Sequence, residues 1–236
     1  MQETSELYKH ILTGPHRFET RVTIDGNTLT EDKILACTRD RKGFMGNLPS
    51  IGGALAATLE LKVIKPSFSI PKMATITVQI RVVNDGQQSE WLNAGTYFID
   101  QRETTDGEGD ADNLTIIAYD AMLKAEADYP DTNHDWPYRD TLVVAEIAQE
   151  IGVTVDPRVA TYLTTGDLVE LPASYTMRET LEHIASANAG NFFITNDNTL
   201  MFAPLYGLDY VEQGSYLADE NGNALMFGNE GWFVFA

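Results

Sequence analysis

The chain has 236 residues, 43% of them hydrophobic, and a formal net charge of −19 at pH 7. That length suits one large domain or two small ones with a buried core, and no run of about 18 apolar residues is present to span a bilayer. A single cysteine, Cys37, excludes an intramolecular disulfide and a CxxC zinc or redox site. The charge is unevenly placed: residues 1–84 carry 11 Lys+Arg against 8 Asp+Glu, net +3, whereas residues 85–236 carry 5 against 27, net −22. A surface that grips nucleic acid needs clustered Lys and Arg, so none is expected beyond residue 84. An acidic surface serves solubility, or a conduit along which DNA slides without adsorbing.

Residues 1–15 read as an amphipathic or frayed lead-in closed by Gly14-Pro15, without the basic region or apolar core of a secretory signal. Phe18 to Ile24 alternates, Asp25-Gly26 signals a hairpin turn, and Lys33 to Arg39 is the second strand, so the chain is expected to open with a hairpin. Arg39 to Gly53 mixes three basic residues with glycines and a proline and reads as a loop. Ala54 to Ile64 reads as one strand with Leu55, Ala57, Leu59, Leu61 and Val63 on its apolar face. Ala74 to Val83 sets Ile76, Val78, Ile80 and Val82 against Thr75, Thr77, Gln79 and Arg81, among the clearest two-residue periods in the chain.

The stretch from Ser89 to Leu123 organises the rest. After Trp91-Leu92 and an expected turn at Asn93-Ala94-Gly95, Thr96 to Glu103 forms a strand, with Tyr97 and Ile99 on one face and Phe98 and Asp100 on the other. An acidic tip from Asp106 to Asn113 leads to a returning strand, Leu114 to Tyr119, and Asp120 is placed to cap a helix. Six strands up to Tyr119 predict a crowded β-domain.

Beyond Lys124 the character changes. Asp128 to Asp140 is an irregular connection, and a helix runs from Thr141 through Glu150 with Gly152 just past its end. Thr176 and Glu179 form a capping box before the apolar stripe Met177, Leu181, Ile184 and Ala185. Phe192 to Thr195 and Thr199 to Phe202, joined by Asn196-Asp197-Asn198, form a hairpin. Two helices and a hairpin make residues 126–204 a small α/β module. A turn at residues 219–223 and the apolar run Trp232 to Phe235 follow. That run calls for a partner, either the first β-domain or chain beyond Ala236.

No catalytic or metal constellation holds up, so the expectation is no catalytic, cofactor-binding or metal residues, no cofactor, and no enzyme. HExxH, GxSxG and GxxxxGK[ST] are absent, and His183 is followed by Ile-Ala-Ser-Ala on the second helix. Asp106, Glu108, Asp110 and Asp112 alternate like calcium ligands, but Ala111 stands where an EF-hand needs Gly and Ile117 where it needs Glu. Asp128, Asp131, His134 and Asp135 could meet at a metal, but Pro130 and Pro137 make a turn-rich loop the simpler account. Cys37 lies inside a strand as a small hydrophobe. Trp91, Trp136, Trp232 and the many tyrosines leave a β-rich carbohydrate- or protein-binding module as the alternative reading, with a metal-dependent hydrolase behind it.

Three phrases carry a resemblance: EWLNAGTYFID at Glu90 to Asp100, AYDAMLKAE at Ala118 to Glu126, and YTMRETLEHIA at Tyr175 to Ala185. From about residue 16 onward the chain resembles the N-terminal part of bacteriophage and prophage tail hub proteins, also called tail-associated or tail-tip proteins and related to baseplate hubs. The resemblance implies an α+β, mainly β fold: an antiparallel β-barrel domain over 1–125, an inserted α/β module over 126–204, and the start of a second β-domain over 205–236. It also implies a homotrimeric ring around the tail channel through which DNA passes, located in the virion tail, with other tail proteins such as a distal tail ring and a tape measure as partners. Family members usually continue beyond the point where this chain stops.

Overall fold

The computed structural model describes residues 4–41, 43, 50–84, 86–105, 112–130, 135–163, 166–205, 225–227 and 233–235. In chain order the elements are α1 (Glu6–Leu12), β1 (Arg17–Ile24), β2 (Asn27–Leu29), β3 (Ile34–Asp40), β4 (Gly53–Leu55), β5 (Thr58–Ile64), β6 (Thr75–Asn84), β7 (Gln87–Gln88), β8 (Leu92–Thr105) and β9 (Asn113–Tyr119). A 3-10 helix at Ala121–Glu126 leads to β10 (Tyr138–Arg139), α2 (Asp140–Ile151), β11 (Thr154–Val155), α3 (Arg158–Tyr162), β12 (Leu168–Val169), α4 (Met177–Ala187), β13 (Gly190–Ile194) and β14 (Thr199–Pro204). The strands β15 (Leu225–Phe227) and β16 (Phe233–Phe235) pair antiparallel with each other.

One antiparallel sheet carries the first half of the chain. Its path is β2–β1–β6–β8–β9–β5–β3, with β7 alongside β6. The four strands read from alternation between Ala54 and Tyr119 lie side by side in it as β6–β8–β9–β5. Val22, Ile24, Leu59, Leu61, Val63, Ile76, Val78, Ile99 and Ile116 share one core, built from the strands themselves and the loop residues Phe68 and Ile70. Among the described residues no helix contributes to that core, and the sheet coils over its own apolar face. β8 supplies curvature through two bulges, one where Val78 faces Gly95 and Gln79 faces Asn93, the other between Ile99 and Gln101. Thr28 to Thr30 at one end of the path and Ile64 to Phe68 beside the other line one cleft of about 330 Å³. Among the described residues no ladder joins β2 to β3, so the expected barrel is here a coiled sheet with its ends facing across a gap.

Three local readings differ from the structure. The opening hairpin is β1 with the short β2 only, because the turn at Glu31–Lys33 redirects the chain and β3 pairs with β5 at the far side of the sheet. The turn expected at Asn93-Ala94-Gly95 lies within β8. Gly95 takes φ +128°, and the Tyr97 ring occupies the space a Cβ would need. The strand expected over Ala54–Ile64 is two: β5 enters the large sheet, while β4 runs parallel to β13 in a second sheet of order β11–β14–β13–β4.

That second sheet packs its Phe192, Ile194, Leu200 and Phe202 face on α2 and α4. Gly152 ends α2 in the left-handed conformation, and Thr176 with Glu179 forms the reciprocal capping box of α4. Asp120 caps the helix that follows it, a 3-10 helix, as its position suggested. The acidic tip at residues 106–111 and the turn at 219–223 lie outside the described residues.

β8 is the strand both cores share. Tyr97 and Ile99 point into the coiled sheet, and Phe98 between them is part of the module's core, with Lys124 Nζ 3.8 Å from its ring centroid. Phe98→Ala should cost about 3–5 kcal/mol of stability. Urea unfolding followed by circular dichroism checks this, and a loss below about 1 kcal/mol would remove Phe98 from the junction.

Candidate assembly surface

The residues singled out for chemistry are dispersed. Asp106, Glu108, Asp110, Asp131 and His134 lie outside the described residues, as does Trp232. Asp112 forms an ion pair with Lys65, 3.0 Å apart. Asp128 forms a β-bridge with Thr176, and Asp135 is exposed. His183 lies exposed on α4, edge-on to Tyr175 with ring centroids 4.7 Å apart. Cys37 is half-buried on β3, and burial pushes its thiol pKa up, the wrong direction for a nucleophile. Among the described residues, no group of three or more His, Cys, Asp or Glu is placed to hold a metal ion.

Two polar constructions are well built. The first joins the sheet to the module where the chain crosses between them twice, at residues 55–58 and 119–121. Asp120 is buried there. Its Oδ2 accepts from Ala57 N at 2.9 Å, its Oδ1 from Met122 N at 3.0 Å, and its own N–H donates to Ala57 O at 3.0 Å. Arg178 of α4 reaches the same crossing, donating from Nε to Ala54 O at 3.0 Å and pairing with Glu126. Burial pushes the Asp120 carboxyl up to about 6, against the Ala57 and Met122 N–H groups and the positive charges of Arg41 and Arg178.

The second construction lies on the outer face of β1, β6 and β8, and follows from register. Glu19 faces Arg81, Arg21 faces Gln79, and Gln79 faces Asn93. Since Ile80 faces Leu92, Arg81 falls opposite Trp91. Two rows of side chains result. In one, Arg81 Nε donates to Glu19 Oε2 at 2.8 Å, Arg17 pairs with the other oxygen of Glu19, and the Arg81 guanidinium lies 4.4 Å from the Trp91 ring centroid. In the other, Arg21 Nε donates to Gln79 at 3.0 Å, Gln79 to Asn93 at 3.2 Å, and Asn93 to Asp197 in the turn between β13 and β14 at 3.0 Å. Arg21 also lies over Trp91, at 4.3 Å. Ser5, the cap of α1, donates both N–H and hydroxyl to Glu90 next door. Arg17 and Arg81 flank the buried Glu19, and with Glu90 and Asp197 at its margins the face sets three carboxylates against three arginines. It can present rigid guanidinium groups and an aromatic edge to an acidic surface. The alternation of Arg17, Glu19 and Arg21 put them on one face in the sequence, but their partners depend on the β1–β6 pairing, which the expected opening hairpin did not contain.

No protein-family model matches the chain, and no curated protein matches it. Solved structures share its fold. The 43 kDa tail protein of prophage MuSo2 from Shewanella oneidensis is 13% identical, with a TM-score of 0.55 over 89% of this chain and 61% of that one. The tail protein from Neisseria meningitidis MC58 is 16% identical, with a TM-score of 0.53 over 87% and 57%. The likeness is one of fold, and it agrees with the tail-protein resemblance carried by the three sequence phrases. The chain spans 61% and 57% of the lengths of those two proteins.

The buried carboxylate has a pH signature. Its folded pKa of about 6 lies above the ordinary 3.8, so the folded chain holds a proton that the unfolded chain has lost between those values. The stability contributed is fully present below about pH 4 and is lost as pH rises through about 6. A rise of about two pH units at 1.36 kcal/mol each puts the loss at about 3 kcal/mol. Urea titrations of the wild type and Asp120→Asn across this range should show the wild type falling relative to the variant. A flat or rising difference would contradict the assignment.

Proposed function

We propose that this chain is a structural component of a phage or prophage tail tip or baseplate hub, residing in the virion tail and working by position rather than catalysis. The observation that carries the reading is the shared fold with prophage tail proteins over 89% and 87% of the chain. The domain plan is a barrel-like domain over 1–125, which lends β4 and the 3-10 helix to the module's core, an α/β module over 126–204, and the beginning of a second β-domain over 205–236. Support for the barrel comes from the coiled sheet, whose ends line one cleft. In the assembled tail three copies form a ring around the channel, in contact with a distal tail ring and a tape measure. The excess of carboxylates after residue 84 favours passage of DNA without adsorption.

Deleting the gene and imaging particles by negative-stain electron microscopy tests this. Particles should lack a normal tail tip, antibody raised to the chain should label the distal end of complemented particles, and infectivity should return on complementation. Normal infectious tails from the deletion strain would overturn the reading.

A further inference from the structure

Register brings two carboxylates together where α2 begins. Tyr138 pairs with Val169 and Arg139 with Leu168, and the next step of the same ladder sets Asp140 opposite Asp167, with the Asp140 N–H donating to Asp167 O at 3.0 Å. Residues directly opposite on antiparallel strands project to the same side with Cβ atoms about 4.5–5.5 Å apart, and like charges there repel. Asp167 is exposed, whereas Asp140 is only 1% exposed. Burial, and after it the charge of Asp167, push the Asp140 carboxyl pKa up. One of its oxygens, Oδ1, accepts from Thr141 N at 2.6 Å. The other, Oδ2, is buried with no hydrogen-bond partner. Asn188, the C-cap of α4, stands beside the carboxyl, but its Nδ2 donates to Ile184 O at 3.0 Å. Arg139 acts on Asp140 through its charge, without a hydrogen bond between the two side chains.

A buried carboxylate oxygen without a partner costs its desolvation, and a second carboxylate across the ladder adds repulsion to that cost. A positive charge between the two relieves both. We propose that Asp140 Oδ2 and the Asp167 carboxylate bind a hard divalent cation, calcium or magnesium, with the Asn188 carboxamide oxygen as a further ligand. Carboxylate and amide oxygens are the donors such ions select, and water completes their coordination. The end of α4 at Asn188 adds the negative pole of a helix to the same place. Exposed Asp167 leaves the ion a path from solvent. Two carboxylates make a weak site, with half-saturation expected at about 10⁻⁴–10⁻³ M. The bound ion ties the start of α2, the end of α4 and the β12 connection to one point of the module.

Thermal melts followed by circular dichroism at neutral pH test the site, with metal first removed by EDTA and CaCl2 or MgCl2 then titrated at constant ionic strength. The wild-type midpoint should rise along a saturable curve with at least one of the two ions. Asp167→Asn and Asp140→Asn should each weaken the apparent affinity by about tenfold or more. Asp140→Asn also touches the first turn of α2, so the exposed Asp167→Asn is the decisive variant, and the ion-induced rise is read rather than the midpoint itself. A rise with the same size and concentration dependence in the wild type and Asp167→Asn overturns the site and assigns the effect to general screening of an acidic chain. A wild type that responds to neither ion overturns it as well, and leaves a proton on Asp140 to relieve the pair.

Discussion

Because side chains alternate along a strand, a strand can bury consecutive residues only if something packs on each side of it, and β8 does this at Tyr97, Phe98 and Ile99. The coiled sheet supplies one side and the helical module the other. The module's position is therefore set by a side chain on the sheet's outer face rather than by a linker. The chain supports that placement by crossing between sheet and module twice, so β4 belongs to the module although it precedes β5 directly. Asp120 holds the two crossings together with hydrogen bonds to backbone on both. An unpaired buried N–H at Ala57 or Met122 would cost on the order of 1–3 kcal/mol, so the donors it satisfies offset part of the carboxylate's own desolvation.

Local periodicity made most elements legible. The alternation in Ala74–Val83 matches β6 to within one residue at each end, and Thr176 with Glu179 marked the start of α4. Pairing was less legible, because a turn signal says where a chain reverses and not how long the returning strand is. Asp25-Gly26 does make a turn, but its hairpin stops at Leu29. The split between β4 and β5 was hidden by Ala56 and Ala57, whose small side chains suit an alternating strand as well as a crossing. Gly95 was read as a turn for a sound local reason, its conformational freedom. In the fold that freedom serves a bulge, which keeps the strand running while bending it.

The same distinction separates the visible from the hidden part of the assembly surface. Charges at Arg17, Glu19 and Arg21 announce a common face, and Gln79 and Arg81 announce another. Their meeting depends on an eight-residue ladder between strands more than fifty residues apart in sequence. Once that ladder is present, Glu19 is buried between Arg17 and Arg81, and the arginines are ordered instead of being free surface charges. The pairs on Glu19 fix guanidinium groups in place, so the belt is a preorganised surface.

Electrostatics then works on two length scales. Two copies of a chain with a net charge of −19 repel as wholes, but at physiological salt the Debye length is about 8 Å, so much of that repulsion is screened before contact. Within that distance the nearby groups decide. A strongly acidic chain whose belt arginines are each held by partners within its own fold thus combines resistance to indiscriminate clustering with one ordered face.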